Sequence, residues 1–122
     1  TRRDTARRYS KGLAGIDGLS LPVERPYARN VYWMYYLQLE GRLTGRRARI
    51  MASLAEQGVE TREGFVPFNE QEIFIAQGPT RPGDCPRASE AATRGFYIPS
   101  GPGLTDLEIA YVSDALRRAA RA

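Results

Sequence analysis

Asn30–Leu39, with the sequence NVYWMYYLQL, is the stretch that decides the fold. It is rich in β-branched and aromatic side chains, which favour a pleated strand. Alternation makes both faces apolar, with one face carrying Val31, Trp33, Tyr35, Leu37 and Leu39 and the other Tyr32, Met34 and Tyr36. Left uncovered, either face would be a large apolar patch. The pattern therefore predicts a strand that is central in its sheet, or one covered on its second face by another domain.

Helices are predicted on both sides of this strand. In residues 1–14 the apolar side chains Ala6, Tyr9 and Leu13 recur on one helical face. Residues 44–57 carry an apolar pair four positions apart and end before a glycine, which is a common helix stop. The first helix has no clean capping sequence at its start, so we expect it to continue from upstream residues of a longer protein.

The last helix, predicted over residues 105–120, has the clearest local signals. Thr105 and Glu108 form a T-x-x-E capping box, and Leu104 and Ile109 stand at the positions of a hydrophobic staple. Both motifs fix the first turn of a helix.

Between these helices the sequence predicts smaller elements. We expect short strands at 59–62 and 96–98, a short helix at 86–94 and a long irregular segment at 64–86. The strands are short and alternate irregularly with helices. The prediction is therefore a single domain, 1–122, of the α/β class (α+β type), with a short, mostly antiparallel sheet packed against helices.

Composition excludes several kinds of site. The chain has no histidine, one lysine and one cysteine, Cys85, so Ser-His, Cys-His and His-metal sites cannot form within it and no metal site is predicted. Lys11, the single amine that could form a Schiff base, lies on a polar stretch and is predicted to be a surface residue. A lone thiol suits a reducing cytoplasm, and no apolar run is long enough to span a bilayer.

The charge balance leaves one alternative open. Eighteen basic against 14 acidic residues give a net charge of +4, which suits a stand-alone basic module that binds nucleic acid or an acidic partner. However, the arginines are scattered, and the one dense cluster, Arg46, Arg47 and Arg49, starts a helix where positive charge is unfavourable. A solvated face or a contact with another domain is the preferred interpretation.

Four segments carry a resemblance to a known family. In order along the chain they are NVYWMYYLQL (30–39), SLAEQGVETR (53–62), FVPFNEQEIF (65–74) and CPRASEAATRGFYIPSGPGLTDLEIAYVSDALRRA (85–119). Their order and spacing resemble the C-terminal region of the DegT/StrS sugar aminotransferases. Within that family, the first segment and the stretch at 98–105 are most similar to the perosamine-synthetase branch.

This resemblance implies the small C-terminal domain of a fold-type I aminotransferase, an enzyme that uses pyridoxal 5'-phosphate to aminate a nucleotide-linked keto-sugar. Glutamate would be the amino donor, and the intact enzyme would be a cytoplasmic homodimer with neither a nucleic acid nor a membrane partner. The cofactor lysine would lie outside this chain. We therefore expect no catalytic or cofactor-binding residue within it, and no activity from the chain alone.

The resemblance also suggests substrate-binding residues. Trp33 and Asn69 stand where many relatives have histidine, Arg62 ends the Glu-Thr-Arg stretch, and Gln71 follows in the same loop as Asn69. These four would help to bind the sugar nucleotide, although each could instead have a packing role. A non-catalytic relative that keeps the scaffold remains a further alternative.

Overall fold

The computed structural model describes all 122 residues, and local sequence signals account for most of its helices. In chain order the elements are α1 (Arg2–Leu13), β1 (Leu19–Ser20), β2 (Tyr35–Leu39), α2 (Arg47–Glu56), β3 (Arg62–Glu63), α3 (Glu72–Ala76), α4 (Pro86–Arg94), β4 (Gly95–Ile98) and α5 (Asp106–Arg121). Short 3-10 turns lie at Gly41–Leu43 and Phe68–Glu70. None of these helices combines the length and the apolar character needed to cross a membrane.

The four strands form one antiparallel sheet in the order β1-β2-β4-β3. Strand β2 is internal, with Leu37 opposite Phe96 of β4. On the far side of β4, Arg62 of β3 lies opposite Tyr97. The predicted fold class, a small antiparallel sheet packed with helices, is confirmed.

The main core lies between one face of the sheet and the layer formed by α1, α2 and α5. That face carries Tyr35, Leu37, Leu39, Phe96 and Ile98, each at most 2% exposed. Each such side chain contributes on the order of 1.5–3 kcal/mol on transfer from water. The core is completed by apolar side chains from all three helices, namely Ala6, Tyr9, Leu13, Ile50, Leu54, Ile109, Val112, Ala115 and Leu116.

Tyr35 joins the sheet to α1. Its ring centroid lies 5.2 Å from that of Tyr9, and a hydrogen bond of 2.9 Å connects its hydroxyl with that of Ser10. Burial raises the pKa of Tyr35, because the phenolate would lose its hydration. The Tyr9 hydroxyl donates to the Pro99 carbonyl at 2.7 Å, which also fixes the chain that follows β4.

The second face of the sheet is covered partly by the chain itself. Tyr36 points to this face, and its hydroxyl donates to the carbonyl of Ala91 in α4 at 2.6 Å. Its ring fills the space that side chains at Gly64 and Gly95 would need. Helix α4 therefore covers part of the face for which another domain was the alternative prediction.

Helix α5 begins as the sequence predicts. Thr105 Oγ1 accepts from the Glu108 backbone amide at 3.2 Å, and the Glu108 carboxylate accepts from the Thr105 amide at 2.7 Å, so both halves of the capping box form. The hydrogen bonds from Thr105 lower the pKa of Glu108.

The predicted strand Asn30–Leu39 is wrong in its first half, since β2 begins only at Tyr35. Strand β4 has just four residues with which to pair, so the ladder cannot extend further back. Instead, Asn30 Oδ1 accepts from the Tyr32 amide at 2.8 Å, and Tyr32 adopts a φ of 50°. Residues 30–34 thus leave the sheet as a turn.

Other predicted boundaries also shift. Helix α2 starts at Arg47 rather than residue 44, because a 3-10 turn and then Gly45, with a φ of 78°, precede it. Strand β3 occupies Arg62–Glu63 instead of residues 59–62. The two-residue strand β1 was not predicted, and the segment 64–86 contains α3.

Several arginines bind backbone carbonyls near the ends of helices. Arg117 donates to Gly12 at the end of α1 at 2.6 Å, and Arg42 donates to the carbonyl of Ala120 in α5 at 2.8 Å. Arg47 donates to the carbonyl of Ala92 in α4 at 2.5 Å. Positive charge is favourable at the negative end of a helix. These three arginines therefore contribute contacts within the fold.

Candidate substrate-binding cleft

The turn formed by residues 30–34, strand β3 and the segment after β4 enclose an open cleft of about 440 Å³. Two of the predicted site residues, Trp33 and Arg62, line it. Its other lining residues are Arg2, Met34, Glu60, Thr61, Tyr97, Ile98, Pro99, Ser100 and Gly101. A cleft of this volume is within the range of small-molecule sites.

Arg2 holds two walls of the cleft together. From the first turn of α1 its guanidinium donates to the Trp33 carbonyl and, at 3.3 Å, to the Ser100 carbonyl. The turn at Tyr32 and this contact fix the backbone of Trp33, and the residue stays 62% exposed. The fold therefore presents a large aromatic surface to the cleft.

Three aromatic rings form a row across the second face of the sheet. The Trp33 and Phe65 centroids are 6.4 Å apart with an interplanar angle of 12°, and the Phe65 and Tyr97 centroids are 6.3 Å apart at 40°. Phe65 is 65% exposed. We call Trp33, Phe65 and Tyr97 the aromatic row. Flat ligands stack on exposed rings of this kind.

Arg62, which pairs with Tyr97 in the sheet, provides a cationic group beside the aromatic row. Its Nη2 and Nε atoms donate to Oε1 of Glu60 at 2.9 and 3.2 Å. The side chains are 70% and 75% exposed, so this ion pair contributes little to stability. Glu60 is the one carboxylate among the lining residues. The cleft can thus bind an anionic ligand and orient a flat one.

The other two predicted site residues lie elsewhere. Asn69 is 2% exposed, and its Nδ2 donates to the Pro82 carbonyl at 2.9 Å, while its buried Oδ1 has no hydrogen-bond partner. Gln71 donates to the Val66 carbonyl at 3.0 Å. Both side chains hold the loop that carries Phe65, and neither lines the cleft with Trp33 and Arg62.

Arg2, Glu60 and Tyr97 also line the cleft, and Phe65 stacks on Trp33 beside it, but none of these four was predicted. Two signals were present in the sequence. Phe65 opens the FVPFNEQEIF segment, and Glu60 stands two residues before Arg62, on the same side of an extended chain. The contribution of Arg2 depends on tertiary packing and has no local signal.

The single lysine lies away from this cleft. Lys11 lines a different cleft, between α1 and α5, together with Arg8, Asp106 and Asp114. No amine side chain lines the Trp33–Arg62 cleft. No group of three or more His, Cys, Asp or Glu side chains could hold a metal ion.

Comparison with known proteins gives a consistent result. The model of the DegT/DnrJ/EryC1/StrS aminotransferase family matches residues 1–117. A dTDP-3-amino-3,4,6-trideoxy-alpha-D-glucose transaminase of Streptomyces venezuelae is 30% identical over 113 residues, covering 92% of this chain and 28% of that protein. A UDP-N-acetyl-3-dehydro-alpha-D-glucosamine 3-aminotransferase of Acidithiobacillus ferrooxidans is 28% identical, covering 96% of this chain and 30% of that protein.

Among solved structures, S. venezuelae DesV in complex with a ketimine intermediate superposes with a TM-score of 0.86 at 29% identity. The match covers 99% of this chain and 31% of that chain. The chain therefore spans about three tenths of the length of the relatives it matches.

Proposed function

The chain belongs to the DegT/DnrJ/EryC1/StrS aminotransferase family, and we propose that it is the substrate-contacting part of a pyridoxal 5'-phosphate-dependent enzyme that aminates a nucleotide-linked keto-sugar. Relatives described as nucleotide-sugar transaminases support this class of substrate. The amino donor would be glutamate, and the product a deoxyamino sugar of the perosamine type.

The proposal depends on one observation, that Trp33 and Arg62 line the same cleft. A nucleotide-linked sugar combines flat and ring-shaped parts with a diphosphate. An exposed indole and a guanidinium are suited to these two kinds of group. In this role the residues bind and orient the substrate, and neither moves a proton.

We further propose that residues 1–122 form the small C-terminal domain of a longer cytoplasmic, homodimeric enzyme. This is supported by the three tenths of each relative's length that the chain covers. It is also supported by the position of Lys11, which lines a cleft with Asp106 and Asp114, away from Trp33. The reactive lysine and the cofactor contacts would then belong to another part of the protein.

The test of substrate contact uses the full-length protein that carries this chain, with glutamate and a dTDP- or UDP-linked keto-sugar. We expect Trp33→Ala and Arg62→Ala to raise KM by about tenfold, the factor given by 1.4 kcal/mol of lost binding. Arg121→Ala, in the last turn of α5, is the matched control. Amination with an unchanged KM in both cleft variants would refute the assigned contacts, and no amination of any such sugar would refute the reaction class.

The proposed absence of a cofactor site is tested on the 122-residue chain alone. After incubation with pyridoxal 5'-phosphate and dialysis, the folded chain should keep no visible absorbance band and turn over no substrate. A band that survives dialysis and is lost in Lys11→Ala would place the Schiff base within this chain and overturn this part of the proposal.

Asn69 and Gln71 stay as predicted substrate-binding residues. Their hydrogen bonds to Pro82 and Val66 support an indirect contribution, through the loop that carries Phe65. A rise in KM for Gln71→Ala would support that contribution, whereas an unchanged KM would remove Gln71 from the site.

A further inference from the structure

We propose that Glu60 occupies the anion position of Arg62 when the cleft is empty, and that the diphosphate of a nucleoside diphosphate group displaces it while the base stacks on the aromatic row. This inference rests on the proposed function and assigns one part of the substrate to the Trp33–Arg62 cleft. It also gives Glu60 the role of an internal competitor.

In the Arg62–Glu60 pair, one edge of the guanidinium faces the carboxylate. Two guanidinium donors, Nε and Nη2, converge on the same oxygen, Oε1, at 3.2 and 2.9 Å. A fork of two donors is also the arrangement with which arginine binds phosphate oxygens. The carboxylate therefore stands where an oxygen of a bound diphosphate would be held.

The Arg62–Glu60 pair exchanges easily for another anion. Both side chains are at least 70% exposed, so water can replace either partner at low cost, and such pairs are weak. No other hydrogen bond holds the Glu60 carboxylate besides those from Arg62. An anion with more charge than a single carboxylate can therefore take its place on Arg62.

The aromatic row suits the neutral, flat part of the ligand. Trp33 and Phe65 are 62% and 65% exposed, and their rings are nearly parallel, so a broad apolar surface lies beside the cationic wall. Nucleic-acid bases stack favourably on exposed aromatic side chains. A nucleoside diphosphate presents a flat base and an anion in one molecule, which fits both walls.

The charges that line the cleft favour an anionic ligand. The cleft is lined by Arg2 and Arg62 against the single carboxylate of Glu60. Arg2 already donates to the carbonyls of Trp33 and Ser100, so it adds positive potential while keeping the walls in place. Removal of the Glu60 charge would raise the positive charge that faces the ligand.

The experiment measures the dissociation constants of dTDP and UDP for the full-length protein by calorimetry. We expect Glu60→Gln to bind either nucleotide about threefold more tightly, the factor expected for loss of a competing exposed ion pair. Arg62→Gln should bind about tenfold more weakly, because it removes a charge-assisted contact. Glu56→Gln, which removes an exposed carboxylate at the end of α2, is the control for net charge. It should leave the dissociation constants of dTDP and UDP unchanged.

Two further ligands separate the two halves of the subsite. Trp33→Ala should bind thymidine more weakly, whereas Arg62→Gln should bind it as the wild type does. For inorganic pyrophosphate we expect the reverse, with weaker binding by Arg62→Gln and unchanged binding by Trp33→Ala. Unchanged or weaker nucleotide binding by Glu60→Gln would overturn the inference. If Glu60→Gln does not bind nucleotide more tightly but the protein aminates a nucleotide-linked sugar, the inference fails and the proposed function stands. If Glu60→Gln binds nucleotide more tightly but no such sugar is aminated, the subsite is upheld and the proposed reaction is refuted.

Discussion

The guanidinium of Arg117, in α5, donates a hydrogen bond of 2.6 Å to the carbonyl oxygen of Gly12, in the last turn of α1. A second donation reaches Ala14 at 3.3 Å. Carbonyls at the end of a helix have no partner within it, and the helix dipole makes this end negative. One side chain thus satisfies two such groups and ties the two longest helices together.

We expect Arg117→Ala to lower the free energy of unfolding by about 1.5–3 kcal/mol, the range for hydrogen bonds to charged groups. Arg117→Lys should recover only part of this, since an ammonium lacks the planar fork. Urea denaturation provides the measurement. Arg121→Ala is the control, and equal stability of the two alanine variants would contradict the role of Arg117.

Gly95→Ala should destabilise the protein by about 1–3 kcal/mol, the usual cost of overpacking. The added Cβ would collide with the ring of Tyr36, whose hydroxyl is bound to α4. Thermal and urea unfolding would measure the loss. Gly83→Ala, where the Cβ meets open space, should be nearly neutral. In a Tyr36→Ala background the cost of Gly95→Ala should fall, and an undiminished cost would show that the collision is not the cause.

Thr105→Ala should cost about 0.5–2 kcal/mol of stability, the range for loss of a helix N-cap. The substitution removes the hydroxyl that accepts from the Glu108 amide at 3.2 Å. Urea denaturation measures the effect against Thr44→Ala, an exposed threonine that caps no α-helix. If the two variants are equally stable, the capping box is not a determinant of stability.

Glu24 should give a pH-dependent contribution to stability. Its carboxylate accepts from Arg3 at 2.6 Å and from the Asn30 amide at 2.7 Å, which lowers its pKa from 4.5 to about 2. A carboxylate with a lowered pKa stabilises the folded state fully above the pKa of the unfolded chain. The contribution is lost as the pH falls from about 4.5 towards 2.

The measurement compares the wild type with Glu24→Gln in urea between pH 2 and pH 7. We expect the wild type to be more stable at pH 7, and the difference to shrink below pH 4.5. A difference that stays constant over this range would show that the Glu24 charge has no such role.

The parts of the fold that were predicted correctly depend on neighbours in sequence. Helix α5 follows from Thr105 and Glu108, which interact within one turn. Strand β2 was extended too far because its length is set by a distant partner, the four residues of β4. The sequence of residues 30–34 does not indicate how many residues of β4 can pair with β2.

The site was only partly predictable for the same reason. Trp33 and Arg62 were chosen from a family resemblance, and the cleft brings them together. Asn69 was chosen in the same way, yet its amide is buried against Pro82. The residue type alone does not show whether an amide side chain fixes a loop or faces a ligand. For Asn69 this depends on the position of Pro82, which lies thirteen residues later in the chain.

Both edges of the four-stranded sheet are strands of two residues, β1 and β3. Such short edges offer few free backbone groups, and this is one way in which proteins avoid adding strands from neighbouring molecules. Strand β3 consists of two charged residues, Arg62 and Glu63. An apolar replacement at Arg62, the residue proposed to hold the substrate phosphate, would therefore also remove one of the charges that discourage edge-to-edge pairing.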